Sequence, residues 1–166
     1  MAAVFNVGGF TKVITVSPTV TAAAYSAGNL IGGKLTLAAA VRGTTDGGTQ
    51  ASGELRSLLL TDKANQKAAI DVVFFNADPT NTTFTDHAAV ALNVADLPKY
   101  IGHVSILASD YSSLAAATNA AATKPNLGIG FSIPSGSTLY ACLISRGTPT
   151  YASTSDLSLT VSFSQD

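Results

Sequence analysis

Tryptophan is missing from this chain, cysteine occurs once and histidine twice. Charged side chains make up only 11% of the 166 residues, less than half of the roughly 25% found in an ordinary soluble domain. Each shortage excludes something. A single cysteine, Cys142, rules out an intrachain disulfide and leaves the redox compartment open. The two histidines, His87 and His103, fall in different segments with neither a His-x-x-x-His nor a His-Glu spacing, so no metal-ligand set is evident. The nine Lys and Arg residues are scattered from Lys12 to Arg146. Without a concentrated basic patch to displace counterions from phosphates, nucleic acid is not an expected partner. No apolar run approaches the roughly 20 residues that span a bilayer, and the segment from Met1 to Asn6 lacks the basic and apolar regions of an export signal. A soluble protein with no membrane partner is expected.

What is present is apolar and small. Hydrophobic residues reach 46% and mean hydropathy is +0.32, enough for one core in a chain of this length. With so few charges, the polar surface must come mainly from Ser, Thr and Asn. Such a surface suits a protein packed against neighbours better than a free monomer, which keeps charge for solubility.

The clearest periodicity lies at the end. Across residues 156–164, Leu157, Leu159, Val161 and Phe163 alternate with Ser158, Thr160 and Ser162, the pattern of a strand with one buried face. Further strands are expected at residues 10–17, 34–41, 54–61, 102–108, 128–133 and 137–145. Residues 69–75 form a continuous apolar run, expected as a central strand. Pro134, Ser135 and Gly136 form a turn between two of these. About eight strands in one domain spanning 1–166 indicate an all-β sandwich or barrel. Two short helices are expected, one over residues 85–92 behind a capping Thr85 and one over 96–100. Residues 114–123, rich in Ala, read as an exposed loop, and residues 43–49 as a flexible one. Met1 to Gly9 reads equally as an N-terminal arm that docks on a neighbour or as the start of an ordinary strand.

The chemical inventory is thin. Cys142 sits in the apolar run Leu139-Tyr140-Ala141-Cys142-Leu143-Ile144 and reads as a buried filler rather than a nucleophile. His87 is expected to be solvated near a helix start, and His103 to stand at a strand end. Gly130-Phe131-Ser132-Ile133-Pro134 misses the Gly-x-Ser-x-Gly elbow at its last position, so no hydrolase centre is evident. Gly28, Gly32 and Gly33 precede a strand and not a helix, so they are expected to serve a turn or bulge and not a phosphate loop. Asp71, Asp78 and Asp86 are weak calcium candidates, with Asp78-Pro79 favoured as an Asx turn. Tyr25, Tyr140 and Tyr151 could line a sugar platform, but no tryptophan supports it. No catalytic, metal or cofactor residue is assigned, and no enzyme is expected.

One resemblance does emerge. The segment from Val16-Ser17-Pro18 to Tyr25-Ser26-Ala27-Gly28-Asn29-Leu30-Ile31-Gly32-Gly33 resembles an opening motif, Thr-Ala-Tyr-x-Ala-Gly-Asp-Val-x-Gly, of small virion proteins in tailed bacteriophages. Val73-Phe74-Phe75-Asn76-Ala77-Asp78-Pro79-Thr80, then Phe84-Thr85-Asp86-His87-Ala88-Ala89, resemble a later segment of the same proteins. Leu139-Tyr140 and Arg146-Gly147-Thr148-Pro149-Thr150-Tyr151 extend the likeness towards the C-terminus. The resemblance implies a capsid decoration (cement) protein, a β-sandwich or jelly roll forming a homotrimer on the exterior of the phage head. It implies the major capsid protein as partner and synthesis in the host bacterial cytoplasm. No residue roles carry over, because the shared motifs mark turns and core positions. A receptor- or glycan-binding module of a phage head or tail fibre is the alternative, and a hydrolase comes third.

Overall fold

A computed structural model describes residues 10–42, 51–115 and 118–165. The suggested N-terminal arm and the glycine-rich loop at 43–49 lie outside the described residues. Among the described residues ten strands run in the order β1 (Phe10–Val16), β2 (Leu30–Leu37), β3 (Ala51–Asp62), β4 (Ile70–Phe75), β5 (Tyr100–Ile106), β6 (Tyr111–Ala115), β7 (Asn119–Lys124), β8 (Ile129–Ile133), β9 (Leu139–Ser145) and β10 (Leu157–Gln165). They form two sheets: β1-β10-β3-β7-β6, with β8 also on β3, and β2-β9-β4-β5.

Every pairing is antiparallel, and the order is that of a folded ribbon. The first strand pairs with the last, β2 with β9, β3 with β7 and β8, and β4 with β5. β7 lines the C-terminal half of β3 (Leu58–Asp62) and β8 its N-terminal half (Ala51–Leu55). These two act as one interrupted strand. With β6 as an added edge, eight strands remain, wound as a jelly roll whose two sheets face each other. The sandwich or jelly roll expected from the sequence is therefore a jelly roll.

The core lies between the sheets, and β10 shows why the strands sit as they do. Leu157, Leu159, Val161 and Phe163 are fully buried, while the intervening Ser and Thr are half-exposed. A slip of one residue would exchange the two sets, so the pattern fixes the register. Facing them across the sandwich are Ile31, Leu35, Ile70, Val72, Leu139 and Leu143, members of the same apolar cluster. Gln165 ends the strand by donating from its buried Nε2 to the carbonyls of Ala39 and Ala40, at 3.2 and 2.9 Å.

The Gly28–Gly33 segment does what its glycines require. Gly28, Gly32 and Gly33 have φ of 90°, 73° and 82°, and the β2–β9 register shifts between Ile31 and Lys34. It is a bulge. A Cβ on Gly32 would stand 2.5 Å from the Cβ of Pro18 and 2.8 Å from the Thr19 nitrogen, so the close approach demands glycine.

Two expectations need correction. Residues 85–92 form no helix: His87 is left-handed at φ 63°, Asn29 bridges to Ala89, and Val90 and Leu92 pack on a sheet. The Asp86 carboxylate is drawn away to Thr21, Tyr25 and Gly32. Burial of Val90 and Leu92 outweighs a weak local helix preference. Residues 114–115 and 119–123 are not loop, since they belong to β6 and β7, which pair Tyr111 with Ala122; residues 116–117 lie outside the described residues. The expected helical turn at 96–100 does exist, as a 3-10 turn over Val94–Lys99 capped by the Asn93 side chain on the Ala95 nitrogen.

Candidate functional site

The two outer faces of the sandwich differ in chemistry. On the first sheet, alternation turns Thr11, Val13 and Thr15 of β1 outward beside Ser164, Ser162 and Thr160 of β10. Across β10, the outward positions of β3 are Glu54, Ser57, Leu59 and Thr61, followed by Thr123 and Ala121 on β7. Thr15 and Thr160 share a hydroxyl hydrogen bond of 2.9 Å across the strands. Glu54 stands at one end beside Arg56, the extra residue of a bulge opposite Ser162 and Phe163. Between them and the far end of the sheet, the face among the described residues is a field of hydroxyl and apolar groups without a charge.

The second sheet is partly covered. The long connection from β4 to β5 folds back over it, and Phe84, Val90 and Leu92 pack with Leu30, Phe75 and Cys142 in a second apolar cluster. This connection is fastened by charge. Lys34 pairs with Asp78, and Lys99 donates to the Asp78 carbonyl at 2.7 Å and to Asp96 at 2.7 Å. Buried Asp96 also accepts from the Asn81 nitrogen at 2.9 Å and the Thr82 hydroxyl at 2.8 Å. Burial alone would raise its pKa, but bonds from Lys99, Thr82 and Asn81 hold it well below the usual carboxylate range.

Where the covering connection stops, a cleft of about 250 Å³ opens on the outer face. Its floor is Val73, Phe75, Cys142 and Ile144, and Val90 and Leu92 form an overhang. Tyr100 and His103 of β5 make one rim, the phenol oxygen 2.8 Å from His103 Nδ1. Asp71 and Arg146 close the end with a 2.7 Å ion pair, and Ser105 donates to the other Asp71 oxygen at 2.7 Å. Burial would raise the Asp71 pKa, but these bonds and the Arg146 charge leave it lowered.

The residues weighed from the sequence are dispersed. Cys142 is buried, as expected, and burial pushes its thiol up to about 12. Asp71, Asp78 and Asp86 lie in three separate ion-pair or hydrogen-bond networks, and no metal-holding group of acids, Cys or His exists among the described residues. His87 is not solvated: its ring stacks on Tyr25 at 3.8 Å, and its buried Nε2 lies 3.7 Å from Asp86. His103 lies within β5 and not at its end. Tyr25 and Tyr151 are buried edge to face at 5.8 Å in segments outside the strands, whereas Tyr140 of β9 lies under Lys34. No tyrosine platform forms. The Tyr100–His103–Asp71–Arg146 rim was not anticipated. An Asp at 71 and an Arg at 146 meet only because β4 and β9 are neighbours.

Among the described residues the fold is an antiparallel jelly roll, with an outer face on the first sheet that carries no charge between its ends and a cleft on the second between Val73, Tyr100 and Arg146. Neither a protein-family model nor a curated protein matches the sequence. Among solved structures, tomato aspermy virus is similar at 9% identity and a TM-score of 0.43, covering 99% of this chain and 81% of the viral one. A family two carbohydrate esterase from Cellvibrio japonicus is similar at 12% identity and a TM-score of 0.21, covering 94% of this chain and 34% of the esterase. At these values neither neighbour bears on function.

Proposed function

We propose that the chain is a non-enzymatic structural protein of a bacteriophage virion, a decoration (cement) protein on the exterior of the head. In this reading it binds the major capsid protein as a homotrimer, without cofactor, nucleic acid or membrane. The observation that carries the reading is the open face of the first sheet, where Thr11, Val13, Thr15, Thr160, Ser162 and Leu59 present hydroxyl and apolar groups with no charge among them. A free surface of this extent normally carries charge. Burial of such a face against a neighbour leaves no ion to desolvate, and its hydroxyls can find partners across the interface. Repetition over a symmetric shell multiplies weak contacts into firm attachment. The resemblance of segments within residues 16–33 and 73–89 to small virion proteins supports the same reading.

The test has two parts. Densitometry of purified virions is expected to give a copy number that is a sizeable fraction of the major capsid protein. The variant T160K/S162K places two charges at the centre of the face, and it is expected to fold with stability within about 1 kcal/mol of the parent. Its occupancy on shells lacking the protein should fall at least about tenfold, the equivalent of roughly 1.4 kcal/mol per site. Only a few copies per virion, or undiminished occupancy of the variant, would sink the reading. The alternative, a receptor- or glycan-binding module of a phage head or tail fibre, draws on the aromatic rim of Tyr100 and His103. Specific signals on a glycan array or on host cells that disappear in Y100A/H103A would establish it instead.

A further inference from the structure

We propose that the cleft on the second sheet binds small organic carboxylates with a compact apolar body, such as a single aromatic ring or a short branched chain. This does not depend on the virion reading. The floor of Val73, Phe75, Cys142 and Ile144 under Val90 and Leu92 offers only apolar surface, which fits hydrocarbon and leaves a sugar's hydroxyls without partners. The volume of the cleft, about 250 Å³, suits a body of one ring or its equivalent.

The rim selects the head group. Asp71 has both oxygens engaged, one by Ser105 and one by Arg146 Nε, and its side chain is only 15% exposed. Arg146 is held by that bond while its two terminal amino groups have no partner among the described residues. Its side chain is 51% exposed, so these groups are reachable. His103 uses Nδ1 on Tyr100, and its Nε2 has no partner among the described residues. The unspent capacity is therefore a guanidinium fork and an imidazole lining the same cleft. A planar anion that accepts two parallel bonds matches the fork, and the apolar floor lies next to it.

Benzoate is the probe. Titration into the isotopically labelled full chain, followed by amide and methyl NMR shifts, is expected to saturate with a Kd on the order of 1 mM. The shifts should concentrate on Val73, Leu92, His103 and Arg146. Benzamide, the neutral isostere, should bind at least about tenfold more weakly. Two variants separate ligand loss from misfolding. D71N/R146Q removes the fork without leaving an unpaired buried charge, and V73F fills the cleft from an outward-facing position; both should abolish saturation while keeping the parent's dispersed spectrum. No saturable shift by about 20 mM benzoate, equal binding of benzamide, or unchanged affinity in folded D71N/R146Q would each overturn the proposal.

Discussion

Asp96 is a buried carboxylate in a chain short of charge, and its partners make it a pH-sensitive fastener. Its pKa is lowered on folding, so its contribution to stability is present above the unfolded value near 3.9 and is lost as pH falls through the folded one. Asp71, Asp86 and Asp110 are lowered as well and act in the same direction. Asp62 acts in the opposite direction, because burial raises its pKa against the backbone bonds from Lys67 and Ala64. With four against one, the melting temperature is expected to drop between about pH 4 and pH 2. Asp96→Asn should melt below the parent at pH 7, with the gap narrowing as acid protonates Asp96; a gap constant with pH would contradict this. At Gly32 the limiting factor is space and φ together. Gly32→Ala should cost roughly 2–4 kcal/mol, and Gly28→Ala, whose Cβ meets nothing, only about 1–2, both read by denaturant unfolding. The glycines could be read from the sequence as a turn or bulge. The left-handed backbone of His87 could not, since nothing in Thr85-Asp86-His87-Ala88 reveals that Asp86 is claimed by Thr21 and Tyr25, more than 60 residues away.

For single elements, legibility followed the contrast between the two faces. β10 alternates Leu, Val and Phe with Ser and Thr, so both its existence and its buried face can be read directly. Leu159→Ala should destabilise by roughly 2–5 kcal/mol, and Ser162→Ala on the opposite face by less than about 0.5, measured in the same unfolding assay. β7 is buried by the same rule, yet Ala120 and Ala122 inside and Ala121 outside are chemically alike. The periodicity exists in space without existing in the letters. The absent helix at 85–92 is the converse case, since Val90 and Leu92 there are recruited to pack with Phe75 and Cys142.

On the scale of the molecule, the all-β class was legible and the winding was not. Pairing β1 with β10 and β4 with β9 depends on the long-range burial of whole faces, which no local window contains. The cleft was hidden for the same reason: its ion pair joins residues 75 apart in the chain, and its overhang comes from a third segment. The uncharged outer face was half visible, as a shortage of charge whose location the sequence leaves open.

The ladder that closes the first sheet also sets a timetable for synthesis. Thr15 and Thr160 face each other across 145 residues, so β1 leaves the ribosome long before its only strand partner among the described residues is made. Until β10 arrives, β1 and β3 each have an edge bare, and such edges recruit other chains. A chain stopped after residue 155 should therefore be recovered in the insoluble fraction, while the intact chain refolds in milliseconds to seconds, the pace of long-range β pairing.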